Sequence, residues 1–433
     1  MGVIEKICLL GVLLGGCSKT VSECTKDSDC TNIVYPFCDA DGEYAASGGV
    51  HNVCTIVPPD CKVDRCGCAA GATTCSGSAL TTCNTDQMSV TTVDCALGCA
   101  TAGARCSSFK PSNGLDGAMN AAAGEPDVVI THHVTIDTDT CDMHDDVTGS
   151  TVAIKSLLIA QTSAPKICVF VAASLEIGDV VVTGNAALAF AAPGPVKVNG
   201  MIDGAARVNS RTVMYGGPGA LVAGICVGST DDNESGGGGN ATDGGAGTLF
   251  TSVGPHYIAG GLAQTNFSPL VGGCVGGGFG GGGGGAVQID SLTSIELSAT
   301  SLVALGGAGG STASGGGSGG TLVLESPVVK VAGDIAANGG SGGFIDTTDS
   351  TCSGSGHSAT NDNIPAPGGQ GGCYPNIGGP GGTAAIAPAN GHDNHTGGGG
   401  SVGRILIRTA DGTFVGPGPI FSVMKTLDTL QKI

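Results

Sequence analysis

Tryptophan is absent from this chain, and Phe, Tyr and Trp together make up only 3% of it. Long glycan clefts commonly stack aromatic rings against sugar faces, so such a cleft is disfavoured. Basic residues are also scarce: Lys and Arg total 17 against 36 Asp and Glu, a net charge of −19. With no basic cluster to offset it, that field repels phosphate backbones and excludes nucleic acid as a partner. No apolar run, the short one near the N-terminus included, is long enough to span a bilayer as a helix. No Gly-X-Y period with proline is present, so a collagen helix is excluded. Charged residues are only 12% of the chain and hydrophobic ones 41%, which argues against a wholly disordered polypeptide.

Glycine and cysteine are abundant. The 433 residues include 80 Gly and 20 Cys, against an ordinary glycine share of about 7%. Lys6 precedes an apolar run from Ile7 to Leu14, and Gly15 and Gly16 lead to Cys17. A short charged start, a short apolar stretch and small residues before a cleavage point are features of a secretory signal. Leu14-Gly15-Gly16-Cys17 resembles the lipobox of bacterial lipoproteins. That resemblance implies a signal peptide over 1–16 and a diacylglycerol on the Cys17 thiol, with acylation of the new amine. Ser18 at the following position implies sorting to the outer membrane. The expected location is therefore a lipid-anchored protein of the cell outer membrane, facing the periplasm or the surface, on a tether over 17–23.

Setting aside Cys8 and Cys17 leaves an even number of cysteines, twelve over 24–106 and six over 141–373. An oxidising compartment makes these a disulfide framework. Large apolar residues are few over 24–106, so cross-links must substitute for a core. Cys66-Gly-Cys68 and the Cys95/Cys99 spacing could suit zinc, but thiols outside the cytoplasm favour disulfides. The acidic residues Asp27, Asp29, Asp39 and Asp41 read as a solvated loop before a Ca²⁺ site. The module resembles short Cys-rich modules of exported proteins from gliding and predatory soil bacteria, which implies a spacer or recognition role. For the later cysteines, pairing along the chain gives Cys141–Cys168, Cys226–Cys274 and Cys352–Cys373 as candidates. The last two would clip the bases of polar inserts.

After a linker over 107–125, the texture over 126–415 becomes short alternating strands separated by Gly, Asn, Asp, Pro or Ser, without a useful helical period. Three stretches repeat one pattern: 187–203 (ALAFAAPGPVKVNGMID), 286–305 (AVQIDSLTSIELSATSLVAL) and 321–337 (TLVLESPVVKVAGDIAA). Each gives a strand, a turn, a second strand, a small corner and a third strand. The fold class expected is all-β, a right-handed parallel β-helix-like solenoid preceded by the small disulfide-rich module. Coils of this kind bury their inward faces only by stacking. Gly runs at 236–239, 276–285, 315–320 and 397–400 fall between the coils, as flexible loops or as extended packed segments. With its Gly403-Arg-Ile-Leu-Ile-Arg408 ending, this domain resembles Gly-rich β-helical regions of large exported proteins from the same kind of bacteria. The tail over 416–433, with Ile420, Phe421, Val423, Met424, Leu427, Leu430 and Ile433, has near-helical spacing and reads as a cap.

Candidate chemistry is thin. Asp137, Asp139, Asp142, His144, Asp145 and Asp146 form the densest carboxylate cluster, as polysaccharide lyases or hydrolases on β-helices require. A solvated turn is the commoner meaning of such a run. Asp231 to Glu234 reads as a polar loop, and His392 and His395 lack a visible third ligand for a metal. His132 and His133 point to opposite faces of a strand. Glycine runs match phosphate-loop patterns trivially and lack the following Lys-Ser/Thr. The sequence thus implies no catalytic residue, cofactor or metal. It implies a non-enzymatic structural or adhesive envelope protein, contacting the membrane through its anchor and extracellular polysaccharide or envelope proteins through its surface. The competing expectation is a polysaccharide lyase or hydrolase.

Overall fold

A computed structural model describes residues 25, 29, 37–39, 53–55, 71–84, 90–95, 97–100, 104–209, 213–231, 234–251, 253–346, 349, 351, 353–370, 378–392, 395–421 and 424–432. The chain divides into two compact units, Met1–Ser107 and Ser108–Ile433. The segment 1–24, with Cys17, lies outside the described residues, as do Cys352 and Cys373.

The first unit is built from short antiparallel strands held by sulfur. Thr73–Ser76, Ala79–Cys83 and Val90–Asp94 form a three-stranded sheet, and Cys99–Ala100 pairs with Arg105–Cys106. Disulfides join Cys75 to Cys99 and Cys95 to Cys106, so Cys95 and Cys99 serve different bridges. Cys38, Cys54 and Cys83 are disulfide-bonded as well. Strand Val90–Asp94 is exposed along its whole length, which is why cross-links and not a core must hold this sheet.

The regular secondary structure of the second unit is almost entirely strand. Near its start the unit carries the turn Ser112–Gly114 and the helix Asp116–Ala122. Its principal sheets are three and open, mostly parallel, two of them mixed through one antiparallel pair each. Sheet I contains, in spatial order, Lys155–Gln161, Ala164–Val171, Ala187–Ala192, Ala286–Ser291, Thr321–Glu325, Arg404–Thr409 and Met424–Thr429. Sheet II contains Val128–Val129, Leu175–Ile177, Val196–Val198, Ser294–Leu297 and Val328–Val331. Sheet III runs from the hairpin Asp142–Asp145/Val134–Asp137 through Val180–Thr183, Met201–Asp203, Leu302–Ala304 and Asp334–Ala336 to Ile420–Phe421. The chain visits the sheets in the order I, II, III, four times from residue 164 to residue 336.

Parallel register stacks like residues into columns. Cys168, Leu188, Val287, Leu322 and Ile405 form one column of sheet I; Phe170, Phe190, Ile289, Leu324 and Ile407 form the next inward one. With Ile177, Val198 and Leu297 of sheet II and Val182, Ile202 and Val303 of sheet III they make one continuous core. These inward positions are fully buried because period-two alternation sends every second side chain into the same narrow interior.

The stretch 107–125 is not a free linker: Phe109, Leu115, Ala118, Met119 and Ala122 are buried. The helix packs on strands Ala164–Val171 and Ala187–Ala192, where Ala187, Ala189 and Ala191 leave room for it on the outer face. The tail is not helical. Ile420–Phe421 extends sheet III and Met424–Thr429 extends sheet I, in parallel with Arg404–Thr409. The last coil leaves backbone groups unpaired at the sheet edges, and a chain that supplies them with partners outweighs a local apolar spacing.

The glycine runs are ordered and solid. Each large insert leaves at one corner, after a sheet III strand, and returns to start the next sheet I strand: 204–285, 305–320 and 337–403. The returning segment 315–320 is fully buried. Its N–H groups reach three different neighbours in strict rotation. Gly315 and Ser318 donate to Gly277 and Cys274, Gly316 and Gly319 to Gly398 and Ser401, Gly317 and Gly320 to Ala308 and Leu305, at 2.7–3.3 Å. A period of three is that of the extended polyproline II helix, which has no internal hydrogen bonds and must find them outside. Segment 397–403 obeys the same rotation toward 337–343 and 235–238. A Cβ on Gly317 would collide with the carbonyl oxygens of Gly282 and Gly281, and one on Gly316 with that of Gly340. Glycine is required here for close approach of backbones.

Cys141–Cys168 lies within the core and Cys226–Cys274 staples the largest insert across a separation of 48 residues. Replacing Cys226 and Cys274 together by Ala is expected to destabilise the second unit by about 4 kcal/mol in the loop-entropy account. Denaturant unfolding of the oxidised variant against the parent checks this, and a loss below about 1 kcal/mol would contradict it.

Candidate functional site

The acidic cluster singled out in the sequence is not gathered around one point. Asp137 and Asp142 face each other across the hairpin. Asp139 accepts the backbone N–H of Asn185 at 2.8 Å and its side-chain amide at 2.9 Å. His132 pairs with Asp145 at 2.8 Å, and His133 with Asp146 at 2.6 Å. Asp145 also accepts the N–H groups of Val147 and Thr148. Hydrogen bonds, the His132 contact foremost, lower its pKa to about 2. Carboxylates satisfied in this way tie down turns. Asp231 is exposed and 3.7 Å from His256, whereas Glu234 is buried and pairs with His395. His392 is exposed. No group of metal-ligating side chains occurs among the described residues.

The densest polar constellation lies elsewhere, on the outer face of sheet I. Parallel register lines up Ala191, Asp290, Glu325, Arg408 and Asp428 across five strands. Gln288 lies two residues before Asp290 on the same face. Gln288, Asp290 and Glu325 are at most 1% exposed. The Gln288 amide donates to both Asp290 oxygens at 3.0 Å and to Glu325 at 3.2 Å. Arg408 donates to Glu325 at 2.8 Å and to Asp428 at 3.2 Å. From above, Ser112 N–H donates to Glu325 at 2.7 Å and the Asn113 amide to Gln288 at 2.8 Å.

Two adjacent buried carboxyls cannot both ionise cheaply. Burial, and then the charge of Glu325, push the Asp290 carboxyl well above the usual range. Glu325 accepts from Arg408 and from the Ser112 N–H group, and the raised pKa of Asp290 favours its protonated form. The arrangement is a clasp: the ladder of the sheet grips the 111–115 segment and so seats the helix. Nothing in the sequence marks it, because outward positions of a strand ordinarily meet water. Arg404 on this face is also fully buried, lies 5.0 Å from the centre of the Phe267 ring, and donates to Thr321 Oγ1 at 3.2 Å and to the Asn266 carbonyl. Burial lowers its pKa to about 10. Arg404→Met, which keeps the bulk and removes these donors, is expected to cost about 2–3 kcal/mol by leaving buried acceptors unmatched, read as a shift in denaturation midpoint.

A third feature is a cavity of about 390 Å³ between Ser163, the loop 221–226 and the loop 263–271. Beside it the aliphatic side chains of Val222, Ile225 and Leu262 are 75%, 75% and 52% exposed.

No protein-family model matches this chain, and no curated protein or solved structure does either.

Proposed function

We propose that the chain is a lipid-anchored protein of the outer membrane with a structural and adhesive role, built on a right-handed parallel β-helix. The I–II–III strand order with parallel register supports the helix, and strand-to-parallel-strand crossovers are right-handed almost without exception. Cys17 is the anchor and the Cys-rich module a spacer. The observation that carries the adhesive reading is the placing of exposed apolar side chains. Val222, Ile225, Val253, Tyr257, Leu262, Phe279, Ile364 and Ile386 are all 48–95% exposed, and all belong to the glycine-rich inserts. Apolar groups displayed on a rigid backbone are what a recognition surface needs, since little ordering entropy is lost on contact. The buried Asp290–Glu325 pair serves as a clasp in this reading and not as acid and base.

The test has two parts. Cells fed labelled palmitate should label the protein and recover it with outer membranes, whereas Cys17→Ala should be unlabelled and soluble. The full-length protein should be retained by envelope preparations or extracellular polysaccharide without releasing new sugar ends. Release of new ends would replace the adhesive reading by the polysaccharide-active one, and an unlabelled parent protein would remove the anchor.

A further inference from the structure

We propose that the cavity between Ser163 and the loops 221–226 and 263–271 is a binding site for a short, uncharged, aliphatic peptide segment of a partner protein. This rests on the adhesive reading above and names the partner's chemistry.

The cavity is preformed. Cys226–Cys274 fixes one wall. The Gln161 amide donates to Leu270 O at 2.9 Å while its carbonyl accepts Leu270 N–H at 2.7 Å, tying the strand edge to the second loop. Leu262 N–H donates to Ile225 O at 2.9 Å, joining the two loops, and Arg404 holds the Asn266 carbonyl. Walls cross-linked in this way lose little freedom when a ligand enters, which favours binding.

Its lining selects the ligand. In a chain of net charge −19, none of the thirteen residues around this cavity is ionisable. An ionic ligand would lose hydration there with no counter-charge to replace it, so the occupant is neutral. Leu221, Ile225 and Val271 supply aliphatic contact, and the exposed Val222 and Leu262 extend it outward. Ser163, Thr265, Asn266 and Ser268 offer neutral donors and acceptors on exposed positions, matched to the N–H and C=O groups of an extended backbone. A volume near 390 Å³ is at the small end of ligand sites, which span about 300–1,000 Å³, and suits one aliphatic side chain with its flanking peptide groups. The lining contains no aromatic ring, so a sugar would find no stacking platform.

The experiment titrates the full-length mature protein with fluorescein-labelled N-acetyl-Ser-Val-Leu-Ile-Ser-amide, and with the same peptide carrying Glu or Lys in place of Leu. Cellobiose and N,N′-diacetylchitobiose serve as competitors. Saturable binding of the neutral peptide is expected, at least tenfold weaker for either charged peptide. Ala263→Trp, which fills the cavity, and Ile225→Asp, which charges its rim, should each weaken it at least tenfold with melting temperatures unchanged. Equal binding of the charged peptides, indifference to both variants, or displacement by the saccharides would overturn the proposal. So would the absence of saturable binding. Retention on envelope preparations distinguishes the two levels. If retention persists undiminished in both variants, the peptide site falls and the adhesive reading stands. If the parent protein is not retained at all, that reading falls independently.

Discussion

Gly317→Ala is expected to destabilise the second unit by about 3 kcal/mol or more, the upper end of ordinary overpacking, although it adds one methyl group. The atoms that the methyl would meet are the carbonyl oxygens of Gly282 and Gly281 and the carbonyl carbon of Gly282. A flexible side chain could swing aside, but a backbone carbonyl already bonded to a third segment cannot. The matching control is Gly117→Ala. Gly117 lies in the helix Asp116–Ala122, and a methyl there meets nothing within 4 Å. That variant should gain about 0.5–1 kcal/mol from helix propensity. Opposite signs for the same chemical change, read from denaturation midpoints, would locate the effect in the packing of the glycine segments. A neutral Gly317→Ala would mean that the glycine runs are not packed.

Stability should also fall as pH rises, which is unusual for an acidic protein's carboxylates. The sign follows from Asp290. Its folded-state pKa is raised by burial and by Glu325, so above the ordinary Asp value of about 3.9 the folded chain holds a proton that the unfolded chain has released. Its contribution is complete below the ordinary range and is lost as pH rises through its elevated folded value. The slope reaches about 1.4 kcal/mol per pH unit in that window. The groups facing Asp290 are Glu325 and the Gln288 amide, with Arg408 beyond Glu325 and Ser112–Asn113 above. Asp290→Asn, which needs no proton, should flatten the slope and be more stable than the parent at pH 9. The first amides to open in the parent at high pH should be those of Ser112 and Leu115, since the clasp holds their segment. A slope unchanged by Asp290→Asn would assign the pH dependence to other groups.

The glycine segments and the clasp differ from the strands in how far the sequence reveals them. The repeated strands were readable because three coils carry the same alternation at 187–203, 286–305 and 321–337, and parallel stacking places Leu188, Val287 and Leu322 in one column. The glycine runs could be read equally as loops or as packed segments, because a residue without a side chain leaves no periodic pattern to read. Their period of three exists only in the hydrogen bonds between runs far apart in sequence. The clasp was hidden for a related reason. Gln288, Asp290 and Glu325 occupy outward strand positions, and only the docking of 111–115, some 175 residues away from Gln288, removes them from water. The tail misled through its spacing: Ile420, Met424 and Leu427 fit a helix locally, yet the open edges of sheets I and III supply partners for a strand. The acidic run of Asp137 to Asp146 was the most conspicuous chemical signal in the sequence and is absorbed by turns.

The glycine-rich inserts are as much a part of the ordered interior as the strands they connect, and native-state hydrogen exchange reads this out residue by residue. The amides of Gly316, Gly317, Gly319, Gly398 and Gly400 should exchange as slowly as those of Leu322, Leu324 and Ile405, because each is buried and bonded to a carbonyl of another segment. Exchange of these glycines at the rate of an unstructured chain, with the strand amides still protected, would contradict the account.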